Sequence, residues 1–223
     1  MIIPRTFNRG WVGPKPIPAE FQACWDAWQR LHPDWEFVTW TDKELADFGL
    51  INQVQFDSAT NPAGKVDIAM YEILYRHGGV WLCCDMECYK NVEPLIVGCE
   101  GFSGAQIPHG SQTPDELLGC IMGCTAGHPL WEKFVDGIPD SVRQYAGTNL
   151  PEVAGPLYAT RIAKAHFGTS VPEMMAADRV SFRVLEPKLV YPYWWYEEYK
   201  GPEAYLCREA DSTICSVKHT DTD

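Results

Sequence analysis

Positive charge is scarce in this sequence: 18 Lys and Arg stand against 30 Asp and Glu, a formal net charge of −12. That balance repels a phosphate backbone, and no Lys/Arg stripe is dense enough to reverse it locally, which argues against duplex nucleic acid as the main partner. Long apolar runs are also lacking. None approaches the ~20 residues that cross a bilayer, so no membrane span is expected. The segment Met1 to Thr6 lacks the basic region, long apolar stretch and small-residue cleavage site of a secretory leader. There is no internal repeat and no low-complexity linker. The nine cysteines form no paired C-x2-C zinc pattern. Their number is odd in a chain too large to depend on disulfide staples, so reduced thiols and a cytoplasmic setting are expected.

What is present is enough apolar material for a sizeable core, with 46% hydrophobic residues in 223. Nothing in that length requires two domains, so residues 1–223 are read as one. Gly and Pro fall at intervals that suit short loops between alternating strands and helices, an α/β layer structure. Ile2 to Phe7 reads as a first strand. Pro16-Ile17-Pro18 opens a helix on whose apolar face lie Phe21, Trp25, Trp28 and Leu31, and Pro33 ends it. Trp35 to Trp40 reads as a second strand, after which Thr41 or Asp42 can cap a short helix.

Asn61-Pro62 is a helix start, with Asn as cap and Pro in the first position, for a helix running to about His77. Gly78-Gly79 stops it. The apolar run Val80-Trp81-Leu82-Cys83 then has the character of a buried central strand, whose end is where open α/β sheets place ligands. Pro129 to Val135 and Pro156 to Ala165 read as helices, and Val180 to Tyr196 as aromatic strand and loop.

Acidic residues follow directly on the central strand in Cys83-Cys84-Asp85-Met86-Glu87. If the chain stays extended, Cys83, Asp85 and Glu87 share one face, and two carboxylates could converge on a cation. Oxygen ligands suit Mn2+ or Mg2+, and such an ion would also grip a diphosphate. The alternative is a polar strand end facing solvent. A two-metal hydrolase would need a further carboxylate or His cluster, and none has the spacing.

In the same window the chain resembles the DXD-motif glycosyltransferases of family 32 and the related glucosylating toxin domains. Their A/S-D-x-x-R-Y helix followed by L-x-x-x-G-G-x-Y-x-D-x-D is matched in order by Val66-Asp67-Ile68-Ala69-Met70-Tyr71, Leu74, Gly78-Gly79 and Cys83-Cys84-Asp85. Ile3-Pro4-Arg5-Thr6-Phe7-Asn8-Arg9-Gly10-Trp11 resembles the family's opening I-P-K-x-x-H-x-x-W. His32-Pro33-Asp34-Trp35 to Trp40-Thr41-Asp42, Gly127-His128-Pro129 and Gly155-Pro156-Leu157 resemble later landmarks.

The resemblance implies a GT-A-like, Rossmann-like fold with a central, mostly parallel sheet flanked by helices. It implies transfer of a hexose from a UDP- or GDP-sugar to an acceptor hydroxyl on a saccharide, protein or other compound, with retention and with Mn2+ or Mg2+. By position, Trp11 would stack on the base, and Asp67, with Tyr71 one turn later, would meet the sugar. Gly155 falls on the substrate side. Asp85 would hold the metal, with Glu87 beside it and His219 as a further ligand. Three positions depart from the pattern: Asn8 stands for His, Met70 for Arg, and Cys83 for the first Asp. All three would lie near the donor, so a nucleotide-sugar binder without transfer activity is the alternative function. The aromatic stretch Tyr191 to Tyr196 suits an acceptor platform or a satellite of the core. A bacteriophage-type DNA-glycosylating role is opposed by the acidic balance.

Overall fold

The computed structural model describes residues 2–108, 111–145, 147, 150–191 and 215–217. Along the chain lie β1 (Thr6–Gly10), α1 (Ala19–Leu31), β2 (Glu36–Trp40), α2 (Asp42–Phe48), α3 (Gln53–Ser58), α4 (Pro62–His77), β3 (Gly79–Leu82), β4 (Met86–Cys88) and α5 (Glu93–Ile96). They are followed by β5 (Gly101–Gln106), β6 (Glu116–Cys124), α6 (Pro129–Gln144), α7 (Leu150–Val153), α8 (Pro156–Phe167), α9 (Val171–Ala177), β7 (Arg183–Leu185), α10 (Pro187–Val190) and β8 (Cys215–Val217).

Six strands form one sheet in the order β2-β1-β3-β6-β5-β7. All run the same way except β6, which is antiparallel to both β3 and β5. The expectation of a mostly parallel sheet between helices is met. A short second sheet pairs β4 with β8.

Side-chain alternation divides the core. Val80 and Leu82 enter a cluster with Phe7, Trp25, Trp28 and Trp35, while Trp81 enters another with Ile68, Tyr71, Leu74 and Phe134. Each face of β3 therefore buries its own layer, which explains why that strand is an unbroken apolar run. On β6, Leu117 and Leu118 point to opposite clusters, as do Ile121 and Met122. The bulge opposite Ser103/Gly104 resets the alternation between those two pairs.

Local chemistry sets the helix bounds. Asn61 Oδ1 accepts from Ala63 N at 2.8 Å, and Pro62 takes the first turn, where its missing N–H costs nothing. Gly78, at φ 70°, ends α4 against the backbone of Cys124 and Ala126, where a Cβ would come within 2.8 Å of both. Thr41 and Glu44 form a capping box at the start of α2. The first strand begins at Thr6 instead of Ile2. Ladder bonding to β2 starts there, and the preceding residues are held by a turn in which Thr6 N donates to Pro4 O at 2.8 Å. Val180 to Tyr191 is mostly the short β7 and α10, and the rest of the aromatic stretch, including Trp194 and Trp195, lies outside the described residues.

This order creates a crevice. From β1 the chain passes through α1 to β2 on one side, then through α2, α3 and α4 to β3 on the other. The strands β2 and β3 thus flank β1 on opposite sides, a change of direction in the strand order that leaves a crevice beyond the carboxyl ends of β1 and β3.

Candidate functional site

A cavity of about 530 Å3 opens at that crevice. The end of β1 supplies Gly10 and Trp11, the loop after it Val12 to Lys15, α1 contributes Phe21, and β3 with its following turn supplies Trp81 to Asp85. The first two turns of α4 add Asn61, Pro62, Ala63, Val66 and Asp67, which share a face at helical spacing. Gly10 allows the close approach: a Cβ there would lie 2.9 Å from Val66 and 3.0 Å from Trp81.

Trp11 is fixed at both ends. Its backbone N donates to Trp40 O at 2.9 Å, and its indole Nε1 donates to Lys15 O at 2.7 Å. The ring also meets Phe21 edge-on, with centroids 6.1 Å apart. Nearby, Gly13 N donates to Asp42 Oδ2 at 2.8 Å, tying the loop to the start of α2. Among the described residues, Lys15 is the one cation that lines the cavity.

The two acids are in unfavourable surroundings for a negative charge. Burial pushes the Asp67 carboxyl up to about 7. Burial likewise raises Asp85 to about 6, offset in part by its own backbone N–H. No ion pair among the described residues relieves either one. Partly buried carboxylates with no counter-charge among the described residues are suited to a site that receives one.

Of the residues singled out in the sequence, Trp11, Asp67, Cys83 and Asp85 meet at this cavity. Asn8 does not. Its amide is spent inside the sheet, donating to Val80 O at 3.4 Å and accepting from Trp40 Nε1 at 2.9 Å. Met70 and Tyr71 are fully buried on the core side of α4, and Tyr71 donates its hydroxyl to Ala154 O at 2.8 Å. Gly155 caps α8, where its carbonyl accepts from Ala159 N at 3.0 Å. None of these four lines the cavity.

Glu87 is also displaced from the expected face. The chain turns at Cys84-Asp85, with Met86 N donating to Cys83 O at 3.1 Å, so the strand alternation does not carry from Asp85 to Glu87. The Glu87 carboxylate instead accepts from Tyr89 Oη at 3.1 Å. His219 lies outside the described residues.

Residues 18–100, which include α4, β3 and Asp85, match the sequence profile of the glycosyltransferase sugar-binding region containing the DXD motif. Over these residues the chain is similar to the DXD-motif glycosyltransferase family. It is 26% identical over 197 residues to inositol phosphoceramide mannosyltransferase 3 of Schizosaccharomyces pombe, covering 81% of this chain and 53% of that protein. To inositol phosphoceramide mannosyltransferase 1 of the same yeast it is 30% identical over 166 residues, covering 70% of this chain and 50% of that one. The chain thus spans about half the length of these curated relatives. Among solved structures, the PaToxG glycosyltransferase superposes with a TM-score of 0.58 at 15% identity, over 78% of this chain and 72% of that one. The fold is GT-A-like, as it also is in the galactosyltransferase LgtC, at a TM-score of 0.50 and 10% identity over 97% of this chain and 87% of that one.

Within the DXD-motif family's pattern, the motif here reads Cys83-Cys84-Asp85, and only its last acid remains. A hard divalent cation fits this donor set in part. Asp85 offers a carboxylate, whereas the Cys83 thiol is held protonated by its hydrogen bond to Cys120, by burial and by the nearby acids. Among the described residues, no three His, Cys, Asp or Glu side chains surround one point. An ion at Asp85 would take its remaining ligands from substrate oxygens and water.

Sequence reasoning missed Lys15, Phe21 and Cys120. Lys15 sits between two prolines in a loop with no periodicity, and its relevance comes from the fold-back that Trp11 enforces. Cys120 lies 37 positions from Cys83, and only the β3–β6 pairing brings them together.

Proposed function

We propose that this chain binds a nucleoside diphosphate hexose in the cavity beyond β1 and β3 and transfers the sugar, with retention, to an acceptor hydroxyl. Mannose is the sugar favoured by similarity to the two yeast mannosyltransferases. The observation that carries the reading is the convergence of Trp11, Asp67 and Asp85 on one cavity, with the two acids inside the matched family region.

Trp11 presents a fixed aromatic face for the base. Lys15, on the loop held by Trp11, supplies a positive charge for the diphosphate. Asp67 accepts hydrogen bonds from sugar hydroxyls, which would compensate its desolvated charge. Asp85 would hold the divalent cation. When bound, that ion neutralises the charge developing on the departing diphosphate. Asp85 would keep it at the cavity wall, which Val12, Phe21, Val66 and Trp81 make largely apolar.

Cys83, standing where the family pattern has its first acid, favours a second reading, binding without transfer. Purified protein incubated with Mn2+ and a panel of UDP- and GDP-hexoses separates the two. Release of nucleoside diphosphate that is lost in Asp85→Ala supports transfer. Thermal stabilisation by a donor with no release supports the binder, and neither response to any donor removes both. The reduced cytoplasmic setting expected from the sequence is part of the same proposal.

A further inference from the structure

Cys83 occupies the place where the family pattern has an acid, and the fold gives it a partner. Immediately beyond the last ladder pair, Leu82 with Ile121, Cys83 N donates to Cys120 O at 2.9 Å. The two cysteines therefore continue the antiparallel register as a directly opposed pair. Opposed residues project to the same face with Cα atoms about 5.5 Å apart, inside the range that a disulfide spans. Cys83 also lines the cavity, and both side chains are only partly buried.

The geometry points to Cys83 and Cys120 as a reversible dithiol/disulfide pair at the wall of the cavity, oxidised by exchange with a small disulfide. The pairing depends on the β3–β6 register and not on what the cavity binds. Cys88 and Cys215 form a second opposed pair, across β4 and β8, but both are sealed in the core. Small reagents reach the cavity and not that interior, so the two pairs should respond differently.

The reaction balances with one small disulfide, RSSR, as the oxidant. One protein sulfur attacks RSSR as the thiolate and expels RS−, leaving a mixed disulfide. The second protein sulfur attacks the first, expels another RS−, and closes the Cys83–Cys120 bond. Two electrons pass to RSSR, and the two thiol protons leave with the released thiolates as two RSH. The bridge ties the turn that carries Asp85 to β6. The readout is the equilibrium ratio of dithiol to disulfide.

The test equilibrates the folded full chain in graded mixtures of reduced and oxidised glutathione, quenches with acid, alkylates free thiols and maps the peptides. The expected result is a Cys83–Cys120 cross-link, lighter than the dithiol by two hydrogens, that grows with the oxidised fraction and disappears with dithiothreitol. Alkylation of both residues should fall by at least about tenfold across the series, while Cys88 and Cys215 stay reduced. Persistent alkylation of Cys83 and Cys120 in the most oxidising mixture overturns the proposal. So does capture only as glutathione mixed disulfides, or bridging to other cysteines. Cys120→Ser removes the cross-link, and because the mapping is done on the unsubstituted chain, its outcome does not depend on the variant's folding. The result is also independent of whether any donor sugar binds.

Discussion

The indole of Trp11 donates to the backbone carbonyl of Lys15 at 2.7 Å, so the aromatic face and a cation that lines the cavity belong to a single folded-back loop. If Trp11 carries the base and Lys15 the diphosphate, the two substitutions should differ in what they lose. Trp11→Ala should weaken both the nucleoside and the nucleoside diphosphate by about tenfold or more, the loss of one stacking platform. Lys15→Ala should weaken the diphosphate by about fivefold or more while changing nucleoside affinity less than twofold, and the loss should shrink at high salt. Calorimetric titration of both ligands into both variants measures this.

Asp67 should make stability depend on pH in an unusual direction. Burial raises its carboxyl from 3.8 to about 7 in the folded chain. Between those values the unfolded carboxyl is ionised while the folded one keeps its proton, so stability falls as pH rises through that window and levels off above it. Asp67→Asn removes the penalty. The variant should match the wild type near pH 4 and exceed it by about 1–2 kcal/mol at pH 8, although donor-dependent transfer is lost. Denaturant titrations across pH 4 to 8 give the margin directly, and a constant margin contradicts this account of the carboxyl.

Tyr71 joins α4 to the segment before α8 through its hydrogen bond to Ala154 O. Tyr71→Phe leaves that carbonyl without its partner and should cost about 1–3 kcal/mol of stability. Donor affinity should be unchanged at temperatures where the variant is folded. A drop in affinity without a drop in stability would return Tyr71 to the binding site.

Met70 marks a position that the fold has converted to core. Only 1% of it is exposed. Met70→Arg restores the family residue but buries an unpaired charge, and should destabilise by about 3 kcal/mol or more. Thermal unfolding checks it, and a stable variant with raised donor affinity would show that α4 can turn this side chain to the cavity.

Sequence chemistry was most legible where it is local. Asn61-Pro62 and Gly78-Gly79 fix both ends of α4 by capping and by a backbone that only glycine adopts easily, and the apolar run at Val80 identifies the central strand. Asp67 and Asp85 stand in a recognisable motif, and both line the cavity. Reading failed where long-range geometry decides. The turn at Cys84-Asp85 separates Glu87 from Asp85, hydrogen bonding across three strands consumes Asn8, and helix packing draws Met70 and Tyr71 inward. No spacing rule could relate Cys83 to Cys120, because the relation is a register between strands separated by β4, α5 and β5.

The central claim is that Asp85 and this cavity bind a metal-associated sugar nucleotide. Its most direct test is calorimetric titration of a nucleoside diphosphate mannose into the wild type and Asp85→Ala, each with Mn2+ and with a chelator. The account predicts binding by the wild type that is at least about tenfold tighter with Mn2+, and an Asp85→Ala variant whose weaker binding no longer responds to the metal. Equal affinity in all four titrations would contradict it.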